Sequence, residues 1–430
     1  MTILCSGSTE LTGADWFLVS LERMMRLAGQ GEHTSLTVLK LGDGFDLAAL
    51  HSAAARLAEA SQVAAGRLKK IPLGVARWRW ETGDQVQFPV REHPINMRWE
   101  EVARNSLGAN SATPVSFDVI PSDSGAIVIL RWWHSLLDGR GAELFLAEIA
   151  RLAVDPMATP KEASWGRLPT QTKGFWADLC EAKKFKDHYY KLAEQGIRSL
   201  GDAKPQPGGA RFHIEFFDVA ESERILARAA GVSRGLFQIG WFLAVSMRAH
   251  RSVFAARGER VESFQASCAV QARKRGARHP IWQNQVSQLF FGVRWDQLDD
   301  LAFAASLLHE QFEEMSRQRL DVAFASNVRI FRHLPLWFWL RTVRSHTGGY
   351  ITSFFFSHTG ECLPECNAFC GAPIKHAFHI PTVSQPPGTG IFFGQRSGQL
   401  TATFCWRERV LREGELEALL AQVREDLLGA

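Results

Sequence analysis

Of the fourteen histidines in this 430-residue sequence, one stands where proton transfer is natural. His134 follows an apolar run, Ala126 to Trp133, and opens the segment His134-Ser135-Leu136-Leu137-Asp138-Gly139. An imidazole at a strand end is held on a rigid element while its edge meets a cleft. Its ordinary pKa near neutrality suits a general base. Asp138 can cap the helix that follows, and Gly139 would let the chain turn sharply into it. The same pattern also reads as a buried histidine before an N-capped helix, and spacing alone leaves both readings open.

The elements needed to position this histidine are legible around it. A helical Leu/Met-rich segment, Asp15 to Leu27, precedes an alternating run at Ser35–Leu41. Asp46 can cap a helix showing Leu47, Leu50, Ala54 and Leu57 on one side. Strands are expected at Val75–Trp80, Val115–Ile120 and Ala126–Trp133, and a helix at about Gly141–Leu152. Pro156, Pro160 and Pro169, a Lys-rich helix at Phe175–Ala193 and a Pro/Gly-rich stretch at Lys204–Gly209 mark a connection. Beyond it come a strand at Arg211–Phe217, helices at about Glu221–Ala230 and Arg234–Ala255, and strands at Val261–Ala272 and Val286–Arg294. A helix near Leu301–Arg319, strands at Tyr350–Ser357, Gly390–Phe393 and Leu400–Trp406, and an amphipathic helix at Glu413–Leu428 complete the chain. The length exceeds what one small core organises. The expectation is an α/β (α+β) chain with residues 1–172 as a first lobe, 173–210 as a connecting helix and linker, and 211–430 as a second lobe.

His134-x-x-x-Asp138-Gly139 after an apolar strand resembles the signature of the chloramphenicol-acetyltransferase-like superfamily, which includes nonribosomal peptide condensation domains, wax ester synthases and alcohol acyltransferases. Looser likenesses extend over nearly the whole chain. Phe45–Leu50 opens a helix as in condensation-type proteins, Cys268–Arg273 resembles their second-lobe strand ending in arginine, Trp282–Val286 resembles the strand entry after it, and Ser357-His358-Thr359-Gly360 resembles a late segment of the fold. The resemblance implies two lobes, each a mixed sheet packed with helices, with an active-site tunnel between them. A thioester donor, acyl-CoA or a phosphopantetheine-bound acyl group on a carrier protein, would enter one face and an alcohol or amine acceptor the other. His134 would be the base, and Asp138 would turn away from it to pair with a second-lobe arginine, for which Arg273 is the candidate. Trp133 stands where many relatives have a first histidine, which implies altered packing or acceptor choice. The late Asp-Phe-Gly-Trp-Gly motif of plant acyltransferases and the early Pro-Leu-Trp of wax ester synthases are missing, so condensation-like or alcohol-acyltransferase-like relatives are nearest.

Attack on a thioester builds an oxyanion that wants a hydrogen-bond donor. The backbone around Gly139 and the side chains of Asn284, Ser353 and Ser357 are candidates, each equally readable as an ordinary loop or strand residue. Cys362, Cys366 and Cys370, with His376 and His379 beyond, are spaced more widely than zinc-binding cysteine pairs, and Pro364 and Pro373 interrupt any single helix. Reduced, semi-buried thiols and no metal are expected. The basic run Arg273–Arg278 can meet the phosphates of coenzyme A or of a phosphopantetheine arm, or simply be a solvated loop. The oily stretch Phe331–Arg344 is read as packing or substrate lining rather than membrane contact.

Composition narrows the classes further. The balance of 49 Lys+Arg against 45 Asp+Glu offers no field for nucleic acid. No apolar stretch is long enough to span a bilayer, the first residues lack a secretory pattern, and seven cysteines fit reduced thiols, so a cytoplasmic monomer is expected. Aromatic residues are 29 Phe and 14 Trp against 3 Tyr, and part of that apolar surplus is expected to wall the tunnel, with Trp132, Trp133, Trp282 and Phe354–Phe356 nearest the chemistry. The leading expectation is an acyltransferase that forms an ester or amide without a metal or redox cofactor. The alternative is a non-catalytic condensation-like scaffold that binds a carrier protein or a hydrophobic ligand.

Overall fold

A computed structural model describes residues 8–61, 64, 66–70, 78–81, 87–109, 111–161, 174–232, 238–273, 282–334, 338, 341 and 347–429. The chain opens with β1 (Ser8–Glu10), α1 (Gly13–Leu27), β2 (Thr34–Leu41), α2 (Leu47–Ala60), β3 (Arg67–Lys70) and β4 (Trp78–Glu81). It continues through β5 (Val90–Glu92), α3 (Trp99–Ser106), β6 (Val115–Ser122), β7 (Gly125–Trp133) and α4 (Gly139–Val154). Next come α5 (Phe175–Ala193), β8 (Ala210–Phe216), α6 (Val219–Val232), α7 (Gln238–Ala256), β9 (Ser263–Gln271), β10 (Val286–Arg294), α8 (Leu301–Gln318) and α9 (Leu320–Phe331). The remainder is mostly sheet, β11 (Phe354–Glu361), β12 (Ala368–Phe369), β13 (Ala372–Ile380), β14 (Thr389–Arg396) and β15 (Gln399–Arg407), closed by α10 (Glu415–Leu428).

Local chemistry sets several of these boundaries. Thr12 and Asp15 form a reciprocal capping box at the start of α1, and Asp46 Oδ1 accepts from the Ala49 backbone N–H at 2.9 Å at the start of α2. The strands organise into two six-stranded mixed sheets, in the orders β12-β13-β2-β7-β6-β5 and β10-β9-β11-β14-β15-β8, beside a small sheet β1-β4-β3. This is the two-lobed α/β architecture expected.

Among the described residues three large apolar cores follow from the layers, beside a small cluster of Leu21, Met24 and Ile351. One lies between the first sheet and α2 and α4, with Leu39, Leu57, Val128, Leu130, Phe145 and Ile149 fully buried. A second and larger core, around Phe242, Phe254, Phe264 and Phe291, lies between the second sheet and its helices. The third joins the lobes: Leu36, Val38, Ile129, Phe378 and Ile380 of the first sheet meet Ala210 and Cys405 of the second. Because strand side chains alternate, β7 sends Val128, Leu130 and Trp132 into the first core and Ile127 and Ile129 into the third. Both faces of that strand are buried, so its end is a fixed platform.

The expected second lobe, 211–430, does not keep to one sheet. The β12–β13 hairpin crosses to the first sheet, where β13 pairs antiparallel with β2 from Leu36↔Ile380 to Leu41↔Ile374. A register shift between Ile374 and His376 breaks the alternation, which is why this strand is hard to see in the sequence. The expected strand at Val75–Trp80, the basic run 274–278 and most of the oily stretch 331–344 lie wholly or partly outside the described residues.

Candidate active site

β7 ends at Trp133, and the His134 backbone N–H continues its pairing by donating to the His33 carbonyl at 2.9 Å. The chain then turns, with Leu136 and Leu137 N–H groups donating to the Trp133 carbonyl, and Leu137 bridges to Gln283 just before β10. The loop carrying His134 therefore sits at the seam of the two sheets.

Asp138 holds that seam. Its Oδ1 accepts from the Gly141 N–H at 2.6 Å, capping α4, while Oδ2 accepts from Arg273 Nη1 and from the Gln285 N–H, each at 2.8 Å. Arg273 Nη2 also donates to the Gln283 carbonyl at 2.8 Å. The pair is buried, the arginine side chain 9% exposed and the aspartate 3%. A charged pair with every nearby acceptor and donor engaged fixes geometry, since losing either partner strands a buried charge. Gly139 is not the glycine the turn requires. Its φ is not left-handed, and a Cβ there would meet nothing closer than His379 Nε2 at 3.8 Å. A Cβ on Gly141 would come within 1.9 Å of the Trp282 carbonyl oxygen, so this is the position at which α4 approaches the second lobe too closely for a side chain.

His134 is half-buried, and its Nδ1 is buried without a hydrogen bond of normal geometry. Its ring lies 4.9 Å from that of His33 and edge-on to Trp132 at 5.3 Å. Burial lowers its pKa from 6.5, against the opposing pull of the His134 and Leu137 backbone and the Asp138 carboxylate. His33 is lowered further, first by burial and then by His134. In both, burial favours the neutral imidazole. The buried Nδ1 of His33 and Oγ of Ser35 also lack partners of normal geometry, so this end of β2 and β7 carries polar groups that the fold leaves uncommitted.

The other expected site residues are placed as follows. The Trp133 indole N–H donates to Glu32 Oε2 at 3.0 Å, which makes it a packing residue anchored to a buried carboxylate. Asn284 does not offer its amide N–H groups to a cleft: Nδ2 donates to Asp15 Oδ1 at 3.1 Å and to the Ser135 carbonyl at 3.0 Å. Ser353 is buried against β9, its Oγ accepting from the Gln265 N–H at 3.0 Å, away from the His134 loop. Ser357 is half-buried on β11, beside Phe392 of β14. Of the aromatic residues expected near the chemistry, Trp132 touches His134, but Trp282, Phe354 and Phe356 fill cores.

Sequence reasoning missed Asp15 and His33. Asp15 is fully buried, and burial raises its pKa to about 6 despite hydrogen bonds from Thr12, Gln283 and Asn284. It ties the start of α1 to the same 283–284 segment that supports the His134 loop. A polar cavity of about 180 Å³, lined in part by Arg91, His93, Asp118 and Arg131, includes none of the 134–139 loop. Cys362 and His379 converge with Glu143, whereas Cys366 donates to the Ala368 carbonyl and His376 packs against Phe216.

No family model matches the chain, and no curated protein matches it in sequence. Solved structures do. The first condensation domain of the calcium-dependent antibiotic synthetase, in complex with a substrate analogue, is similar at TM-score 0.72 and 14% identity over 98% of this chain and 96% of that one. The trichothecene 15-O-acetyltransferase TRI3 from Fusarium sporotrichioides matches at TM-score 0.70 and 14% identity, over 98% and 95%. The epimerization domain from the third module of tyrocidine synthetase B matches at TM-score 0.60 and 12% identity, over 98% and 96%. Three differently named activities on one architecture leave the chemistry to the site. Together with the two mixed sheets and the loop clamped between them, these likenesses show that the chain has the two-lobed chloramphenicol-acetyltransferase-like fold.

Proposed function

We propose that the protein is an acyltransferase in which His134 is the general base. Nε2, on the ring edge away from the buried Nδ1, takes the proton of a hydroxyl or amine as that group attacks the carbonyl carbon of an acyl thioester. The carbon–sulfur bond breaks, the thiol leaves carrying a proton, and the product is an ester or amide. The donor is an acyl-CoA or an acyl group on the phosphopantetheine arm of a carrier protein, and the setting natural-product or lipid biosynthesis. The observation that carries this reading is a half-buried imidazole whose burial favours the neutral form, held on a loop that Asp138, Arg273 and Asn284 fasten to the second sheet. A lowered pKa widens the pH range over which such a base is ready to accept a proton. Ser357 and backbone N–H groups near Gly139 are the remaining candidates for the oxyanion.

Purified chain supplied with acyl-CoA and acyl-carrier donors and a panel of alcohols and amines is expected to release free thiol with matching ester or amide. Folded His134→Ala is expected to lose that release, and parity with wild type would refute the mechanism. The engagement of the Asn284 amide favours a second reading, a scaffold that captures a carrier protein or hydrophobic ligand without turnover. Its signature is carrier binding with no thiol release from any donor.

A further inference from the structure

We propose that Glu143, Cys362 and His379 form a binding site for one divalent metal ion, best matched to zinc. Glu143 lies in the second turn of α4, Cys362 directly follows β11, and His379 is on β13. Their ligand atoms lie within 4.8 Å of one another, His379 Nε2 being 2.9 Å from Glu143 Oε1 and 3.6 Å from Cys362 Sγ. Tetrahedral zinc, with Zn–N and Zn–O of about 2.1 Å and Zn–S of about 2.3 Å, sets nitrogen and sulfur about 3.6 Å apart and nitrogen and oxygen about 3.4 Å apart. The nitrogen–sulfur spacing already matches, and the nitrogen–oxygen spacing has to open by about half an ångström, a small torsion of a glutamate.

The surroundings fit as well. His379 Nδ1 meets Thr37 Oγ1 at 2.9 Å, so a metal on Nε2 leaves Nδ1–H to donate to that oxygen, which also accepts from Trp132 Nε1 at 3.2 Å. Arg140 donates to the other Glu143 oxygen at 2.7 Å, and Gly139 sets no side chain over Nε2, leaving room for water as fourth ligand. Burial, and next the Glu143 carboxylate, push the Cys362 thiol well above its ordinary pKa. A cation beside both would reverse that and bind a thiolate and a carboxylate with no net buried charge. The site shares Trp132 with His134, but metal binding is read without reference to the proposed transfer, so it stands whether or not that reading does.

The test uses chelator-stripped full chain titrated with Co²⁺, followed by competition with Zn²⁺. Expected are one bound Co²⁺ per chain, a sulfur-to-cobalt charge-transfer band, displacement by Zn²⁺, and a rise in Tm with Zn²⁺. Cys362→Ala and His379→Gln should abolish the band and the rise in Tm, while Cys366→Ala should change neither. Thr37→Val keeps the three ligands and should weaken binding by roughly 10- to 100-fold. Wild type that binds no stoichiometric metal, a band that persists in Cys362→Ala, or an unchanged affinity in Thr37→Val would each overturn the assignment, the last even where Cys362→Ala fails to fold.

Discussion

His134 and His250 are both enclosed histidines whose pKa burial pulls below 6.5, yet the two regions around them use an imidazole in opposite ways. His250, in the second-lobe core, spends both nitrogens: Nδ1–H donates to the Ser246 carbonyl at 2.8 Å, and Nε2 accepts from Thr389 Oγ1 at 3.1 Å. Its ring stacks on Phe354 at 4.1 Å. His134, at the seam of the sheets, is half-buried with Nδ1 unpartnered. A lowered pKa is therefore no mark of function in this molecule. What separates the two is whether the fold has consumed the ring's hydrogen-bonding capacity.

The sharpest way to break that contrast is substitution at both positions. His134→Ala is expected to cost roughly 100- to 10,000-fold in kcat with little change in Tm. His250→Phe should leave the kcat of folded enzyme alone and lower stability by about 1–3 kcal/mol, because the buried Thr389 hydroxyl loses its acceptor. If kcat falls equally in both variants, the distinction drawn from hydrogen bonding is wrong.

The loop holding His134 gives the next largest effect. Asp138→Ala and Arg273→Ala should each cost about 3–5 kcal/mol in urea unfolding, and the double variant much less than the sum. Additive losses would show that the pair does not act as one clamp.

Acid titration tests the core histidine. The folded pKa of His250 is near 4 against 6.5 unfolded, so below 6.5 the unfolded chain binds a proton that the folded chain refuses. Its contribution is intact above 6.5 and falls as pH drops, by about 3 kcal/mol on approaching pH 4. Asp15, raised from 3.8 to about 6, acts in the opposite sense over its own interval. The difference between wild type and His250→Phe isolates the histidine, and parallel stability curves would refute the assignment. Smallest is the glycine pair: Gly141→Ala should cost about 1–3 kcal/mol and Gly139→Ala nearly nothing, measured as shifts in Tm. Equal shifts would mean that the close approach to Trp282 is not limiting.

Much of the fold is legible because its signals are local. The expected strand Val286–Arg294 and helix Phe175–Ala193 coincide with β10 and α5, and Asp46 caps α2 as its position suggests. β13 was harder to see, since its register shift hides the period-2 pattern and its histidines read as possible ligands. Trp99–Ser106 and Leu320–Phe331 form helices that the sequence reading did not mark, their ends set by packing more than by capping side chains: neither first turn has a side-chain cap.

The sequence alone determined the strand, the turn and the helix around His134-Ser135-Leu136-Leu137-Asp138-Gly139, because Asp138 needs only the backbone three residues ahead to cap α4. Tertiary structure alone decided which histidines count. His33 reaches His134 because β2 pairs with β7, and His379 reaches Glu143, 236 residues earlier in the chain, because the β12–β13 hairpin crosses to the first sheet. Contacts of that kind follow from sheet pairing across the whole chain, and no local spacing of residue types records them.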